Sequence, residues 1–561
     1  MERVDGTAKN RGDKVDNRLL DKIETIFLVN NLQVMHNGII SSVIRKMRFM
    51  EDEWGYNPLL LISDYNIELQ RIKIMLKFGM READQTQFNK SARILNVYDH
   101  FQRSYAPDVK EAEYGLNLGE GESASQTDDN IYEIFKDGKH IRTEYFTGLF
   151  GRLRLVERIS GGKPARRIYY DDCGYISMIQ HLDEANPEFH PWESYYTTDK
   201  RLCIMAKYTF TPDNPAEKNK LRRLTLFDEE GRAVKECASN AELAACCLDE
   251  LCADPSKLYL IVDESGVLTS APLAVKRKNV FRCCIVHNIF LTDAYRLDSR
   301  PQSYYAHMCE HRNEFDGIIF LTMTERTDFI KKYPGFDPRK AFVIPHPYAY
   351  HVDPVDFELR DHKKAIIIAR FDDTKQIPHA VGVFKKVVEE VPDAVLEIYG
   401  FGFSSVEEKV DASIKELGLE NNVKKMGYTD HPVKKMRGAA AFIMTSVVEG
   451  MPMTLVESIC NGCPVFAYDI NYGPADTILD GSTGFLFYKG DGTSLAAQLV
   501  KYFMDIEMQR SMSENCYKDA RRFSVLRFLE RWRAFMESLY SRRRDVVLKE
   551  TAGENIAASE V

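Results

Sequence analysis

Two runs of strand–helix alternation, interrupted by residues 96–254 with a different periodicity, constrain this chain more than any other feature. The first run opens with an apolar stretch, Ile23–Val29, that ends in Asn30-Asn31. A loop containing His36-Asn37-Gly38 follows, then a helical pattern over 41–50 and a second strand pattern over 59–63. This β–loop–α–β order begins a doubly wound parallel sheet. The alternation stops near residue 95 and returns near 256, with strand patterns over 258–262, 281–286, 317–321 and 342–344. A fresh set at 365–369, 395–399, 441–444 and 465–468 predicts a second βαβ domain. Between the two runs the period is close to two. Asp137-Gly138, Asp171-Asp172-Cys173-Gly174 and Asp228-Glu229-Glu230-Gly231 separate stretches rich in Tyr, Phe, Ile, Arg and Thr. Asp and Gly at such positions supply the positive φ angles of hairpin turns. The fold class is therefore α/β: two facing Rossmann-like domains, with a mostly antiparallel β insert in the N-terminal one. The boundaries read as a disordered tail over 1–20 and an N-terminal domain from 21–95 and 255–350. The insert takes 96–254, the C-terminal domain 351–525, and a final helix and tail 526–561.

The composition supports a large globular chain. With 561 residues and 44% apolar content, core size is not limiting. A net charge of −9 argues against a nucleic-acid partner. No apolar run is long enough to span a bilayer, and with polar first residues no signal peptide is expected. The twelve scattered cysteines suit reduced thiols in a cytoplasmic protein. One C-x-x-C, Cys460-Asn-Gly-Cys463, has no second pair, so no zinc site is expected. The final helical stretch, 524–544, is rich in Arg and carries Phe528, Trp532 and Phe535. It reads as a packing helix with a solvated basic face, with a membrane-surface helix as the alternative.

In facing Rossmann-like domains the ligand sits where strand C-termini converge. Glu449-Gly-Met-Pro-Met-Thr-Leu-Val-Glu457 follows a buried-strand pattern there and opens a helix. Its two carboxylates need not share a face, because eight residues advance about 80° beyond two full turns. The helix start at Met453, Thr454 and Leu455 offers backbone N–H groups and a positive dipole end, which suit a phosphate. Arg370-Phe-Asp-Asp-Thr-Lys375 puts two cations in one strand-end loop, which suits a diphosphate. Tyr399-Gly400-Phe401-Gly402 and Gly427-Tyr428 are glycine-bearing strand ends where a backbone can approach a ligand.

Taken in order, the glycine loop after the first strand, the R-x4-K and the E-x7-E resemble the retaining GT-B glycosyltransferases of family 4. Asp469-Ile-Asn-Tyr-Gly-Pro474, Phe342-Val-Ile-Pro-His-Pro347 and Phe315-Asp-Gly-Ile-Ile-Phe-Leu-Thr322 narrow the resemblance. With the insert, they are similar to the wall-teichoic-acid α-glycosyltransferases. That group includes the poly(glycerol-phosphate) α-glucosyltransferases and the poly(ribitol-phosphate) α-N-acetylglucosaminyltransferases. The resemblance implies transfer of a hexose, with retention, from UDP-glucose or UDP-N-acetylglucosamine to an anionic polyol-phosphate polymer. It implies no cofactor and no metal, with Arg370 and Lys375 holding the donor diphosphate. Glu449 would face the transferred sugar as nucleophile or as charge stabiliser. Glu457 would bind the ribose, Gly38 the diphosphate, and His287 the donor sugar. Two positions depart from the family pattern: Asn37 replaces the first loop glycine, and Pro452 stands where Gly or Ser is usual. The resemblance also implies a homo-oligomer formed through the insert. The chain is expected in the cytoplasm, any membrane role being peripheral, at the inner face of the cell membrane. Arg152, Arg154, Arg166, Arg167, Arg222 and Arg223 on the insert are expected to offer an anionic acceptor a basic patch. Two other readings stay open: a transferase acting on a Ser/Thr-rich adhesin, and a non-catalytic GT-B partner that binds glycans.

Overall fold

The computed structural model describes residues 22–32, 38–78, 93–103, 116–147, 151–171, 173–210, 219–348 and 357–551. The expected tail at 1–20 and the loop residue Asn37 lie outside the described residues. Three sheets organise the rest. Strands β1 (Ile23–Val29), β2 (Leu59–Ile62) and β3 (Arg93–Asn96) build the first sheet, together with β14 (Leu258–Asp263), β15 (Val280–Val286), β16 (Gly317–Phe320) and β17 (Ala341–Val343). Its order is β17-β16-β15-β14-β1-β2-β3, with every pairing parallel. Strand β1 is apolar nearly throughout because helices cover both faces of such a sheet. In the other parallel sheet, β18 (Asp361–Ile368), β19 (Val395–Tyr399), β20 (Val423–Gly427), β21 (Ala439–Met444), β22 (Val465–Asp469) and β23 (Gly484–Tyr488) run in the order β20-β19-β18-β21-β22-β23.

Between β3 and β14 the chain forms a ten-stranded antiparallel sheet, from β4 (Glu122–Asp128) to β13 (Ala233–Cys237), with strands in sequence order. The Asp137-Gly138 turn adopts φ of 49° and 73°, and Gly174 and Gly231 sit at 84° and 77°. These are the left-handed conformations that tight hairpins need. The break in pattern near residue 95 falls inside β3, and the antiparallel pairing begins only at Glu122. The end of this sheet nearest β13 is anchored to the first domain. Tyr195 meets Tyr98 and Tyr65 at ring distances of 4.7 and 5.1 Å, and Gln102 donates to the backbone of Ser177 and Tyr196.

The last helix, Val525–Thr551, returns to the first domain. Trp532 is fully buried and packs 5.6 Å from Phe27, and Phe535 packs 4.8 Å from Phe342. Its apolar face is thus covered by protein, which answers the choice between packing and a membrane surface for this face. Among the described residues no helix is long and apolar enough to cross a membrane.

Candidate active site

The C-terminal ends of both parallel sheets meet at a cleft of about 840 Å³. Gly38, Ile39, His287, Asn288 and His346 line one wall, and Arg370, Lys375, Glu449, Met453 and Thr454 line the other. Each wall is built by local rules. After β18 the chain turns at Asp372, whose carboxylate accepts from Thr374 N at 3.0 Å and starts the short turn Asp373–Lys375. Thr445 Oγ1 donates to Lys375 O at 3.0 Å, and Val447 N donates to Thr374 O at 2.8 Å. These bonds tie the lysine turn to the loop after β21, and Lys375 Nζ meets Glu449 Oε1 at 2.6 Å. Both side chains are mostly buried, whereas the Arg370 side chain is 81% exposed and only 3.6 Å from Asp372. The Arg370 guanidinium therefore stands largely in solvent at the edge of the cleft.

Helix Met453–Cys460 begins at the expected residue, with Pro452 at its cap position and no side chain capping its N–H groups. Helix Gly38–Trp54 begins at the opposite wall. A Cβ at Gly38 would meet nothing within 4 Å among the described residues. Two helix N-termini therefore point their positive ends into one cleft.

Gly400, Tyr428, Leu455 and Glu457, all expected at the site, do not line the cleft. Gly400 has φ +136°, and a Cβ there would fall 1.8 Å from Ala369 O, so this glycine lets the 399–402 segment lie against the strand end that carries Arg370. Tyr428 is half-exposed and packs against Phe401 at 5.6 Å. Leu455 is buried in the core, and its N–H bonds Pro452 O at 3.1 Å. Glu457, one turn into the helix, lies 3.5 Å from Arg45 of the first domain. Helix geometry accounts for the separation: Met453 and Thr454 are at the open end, Glu457 is not.

His287 follows β15 and is buried at the cleft floor. Its Nε2 lies 2.8 Å from Glu264 Oε2, and Lys46 Nζ lies 2.5 Å from Glu264 Oε1. Tyr305 Oη accepts from His287 N at 2.8 Å, and the His346 ring stacks on the His287 ring at 5.6 Å. Burial lowers the His287 pKa, with Glu264 opposing and Lys46 assisting. Burial would raise the Glu264 pKa, but Lys46 and His287 outweigh it, so the carboxylate stays ionised. The sequence reading missed Glu264 and Lys46. The available signal was the acidic pair Asp263-Glu264 at the end of an apolar strand, where ligands of α/β sheets gather.

The two walls touch directly. Gly450 approaches so closely that a Cβ there would fall 2.3 Å from His287 O. Asp476 Oδ1 accepts from Met323 N at 2.8 Å, so a C-terminal-domain carboxylate caps an N-terminal-domain helix. Asn471 Nδ2 donates to Ala294 O at 2.9 Å. The Asn-Tyr-Gly-Pro segment thus works as a clasp between domains. Among the described residues no group of three or more His, Cys, Asp or Glu side chains is placed to hold a metal ion. On the insert, Arg154, Arg167 and Arg223 pair with Glu68, Glu157 and Glu236 at 3.0, 2.8 and 3.0 Å. At least three of the six expected basic side chains are therefore offset by neighbouring carboxylates.

Residues 355–519 match the family described as Glycosyl transferases group 1. The chain is 24% identical to a poly(glycerol-phosphate) alpha-glucosyltransferase of Bacillus subtilis over 90% of its own length and 74% of the relative's. It is also 24% identical to a poly(ribitol-phosphate) alpha-N-acetylglucosaminyltransferase of Staphylococcus aureus, over 72% of this chain and 73% of that one. A TarM variant of S. aureus, solved with fondaparinux, alpha-GlcNAc-glycerol and UDP, superposes with a TM-score of 0.74. It is 18% identical, over 92% of this chain and 99% of that one. The likeness to TarM is one of fold, the GT-B arrangement of two Rossmann-like halves with an antiparallel sheet between segments of the chain.

Proposed function

We propose that this chain, whose second half carries a glycosyl transferases group 1 domain, is a retaining hexosyltransferase of family 4. It moves glucose or N-acetylglucosamine from a UDP-sugar to a hydroxyl of a polyol-phosphate polymer such as wall teichoic acid. One observation carries the reading: the Lys375–Glu449 pair, 2.6 Å apart, sits on a cleft wall beside the uncapped start of helix Met453–Cys460 and opposite Gly38. That arrangement gathers positive charge where a diphosphate leaves and sets one carboxylate beside it. The names of the relatives, which act on poly(glycerol-phosphate) and poly(ribitol-phosphate), support the acceptor class.

In this mechanism the donor diphosphate lies between the N–H groups of Gly38 and those of Met453 and Thr454. Arg370 closes on it from solvent, and Lys375 stabilises the charge that grows as the glycosidic bond breaks. Such preorganised electrostatics typically contribute a factor of about 10² to 10³ per donor group. No metal is needed for this step, since cations and helix dipoles meet the charge. Glu449 faces the anomeric carbon and stabilises its positive character. Glu457 binds the ribose diol after exchanging its contact with Arg45. The insert serves as an assembly platform for a homo-oligomer.

The test is UDP release by the purified protein from UDP-glucose and UDP-N-acetylglucosamine. Acceptors are poly(glycerol phosphate), poly(ribitol phosphate) and a Ser/Thr-rich peptide, with product anomeric configuration read by proton NMR. An α product on a polyol phosphate, and a fall in kcat/KM of about 10² to 10³ in Lys375→Ala, are expected. Transfer to the peptide alone, or release unchanged in Lys375→Ala, would overturn the proposal.

A further inference from the structure

Lys46 and Glu264 form an ion pair of 2.5 Å with essentially no solvent exposure. Such a pair is weak evidence of stabilisation, because desolvation offsets most of its attraction. The mechanism above leaves it without a task. Its position gives it one. Glu264 follows β14, the strand that lies beside β15 in the sheet, and its second oxygen meets Nε2 of His287 at 2.8 Å. An ionised carboxylate only accepts hydrogen bonds, so Nε2 must carry the proton. Among the described residues, the groups facing this ring are Glu264, Lys46 through its charge, His346 on its stacked face, and Tyr305 Oη at its backbone N–H. Lys46 already neutralises Glu264, so an imidazolium here would be an unbalanced buried charge. The ring is neutral, and Nδ1, which has no protein partner among the described residues, is a lone-pair acceptor on a residue that lines the cleft.

We infer that Glu264, clamped by Lys46, is a positioning residue that locks His287 in the Nε2–H tautomer, so that Nδ1 accepts a hydrogen bond from a hydroxyl of the transferred hexose. The inference deepens the transferase reading and rests on it for the identity of the hydroxyl, whereas the tautomer itself does not. Second partners of this kind fix ring orientation and tautomer wherever histidine must present one nitrogen. Glutamine at 264 would reverse the polarity. Its carbonyl would take the Lys46 bond and its NH2 would donate to Nε2. The proton would then move to Nδ1, and that nitrogen would become a donor.

The experiment uses full-length protein with 15N-labelled histidine, the His287 signals being assigned by their loss in His287→Asn. Wild type at neutral pH is expected to show protonated Nε2 and unprotonated Nδ1, and Glu264→Gln the opposite. Glu264→Gln should also lose 10- to 100-fold in kcat/KM for the sugar nucleotide while its UDP affinity stays within twofold, since UDP carries no hexose. Should Glu264→Gln fail to fold, the wild-type spectrum still decides. An Nδ1–H tautomer or an imidazolium in wild type overturns the inference, and so does an unchanged tautomer or undiminished transfer in Glu264→Gln. Absence of any transferase activity would sink the transferase reading and the role of the hydroxyl together, whereas the spectrum would still test the tautomer lock by itself.

Discussion

Gly450→Ala is the sharpest test of how the two domains meet. Gly450 has no positive φ, so alanine brings no backbone strain of its own there. Its Cβ would fall 2.3 Å from His287 O and 2.8 Å from Asn288 Cα, both backbone atoms with no rotamer to adjust. Ordinary contact starts near 3.4 Å, so the two walls must part by about 1 Å. A misplacement of that size in reacting groups lowers rate about 100-fold, or about 2.7 kcal/mol of barrier. The gap opens between the loop that carries Glu449 and the loop that carries His287, so the loss should appear in kcat/KM for transfer. UDP affinity should fall as well, because the same gap separates Gly38 from Met453 and Thr454, between which the diphosphate lies. The comparison is Gly382→Ala in helix Ile377–Glu390, where a Cβ meets nothing within 4 Å. That substitution should stabilise the fold by about 0.5–1 kcal/mol and leave transfer intact. Folded Gly450→Ala protein with transfer within twofold of wild type would refute the close domain approach as part of the active geometry.

Other substitutions probe the remaining supports. Asp476→Ala removes the carboxylate that caps helix Met323–Lys332 across the domain boundary and should cost about 1 kcal/mol, read as a lower Tm; an unchanged Tm would mean the clasp contributes nothing. Trp532→Ala should cost about 3–5 kcal/mol by emptying the site between the last helix and Phe27. Trp532→Phe should cost much less, because the buried indole N–H has no partner among the described residues; urea unfolding separates the two. Burial holds the Asp263 carboxyl at about 6, raised from its ordinary value. A raised folded-state value makes its contribution fullest near pH 4 and lost as pH rises through 6. Thermal melts should therefore show Asp263→Asn gaining stability relative to wild type between pH 5 and 7.5, and parallel curves would exclude Asp263 as the group responsible.

Much of the fold was legible in the sequence because it is encoded over short spans. Apolar runs such as Ile23–Val29 and the Asp137-Gly138 turn specify a buried strand and a hairpin from a few residues each. The start of helix Met453–Cys460 was readable for the same reason, as were Arg370, Lys375 and Glu449 at strand ends. Tertiary structure alone decided what those residues meet. Lys46 lies on a helix and is buried against Glu264, 218 positions away. Arg45 reaches Glu457 across the domain boundary, and Gly450 is pressed against His287. The physical reason is sheet register. The pairing of Leu28 with Asp263 fixes where the helix after β1 lies relative to the end of β14, and so which charges share a dry site. A chain's periodicity states which face is apolar; only the packed sheets determine which polar groups must find each other there.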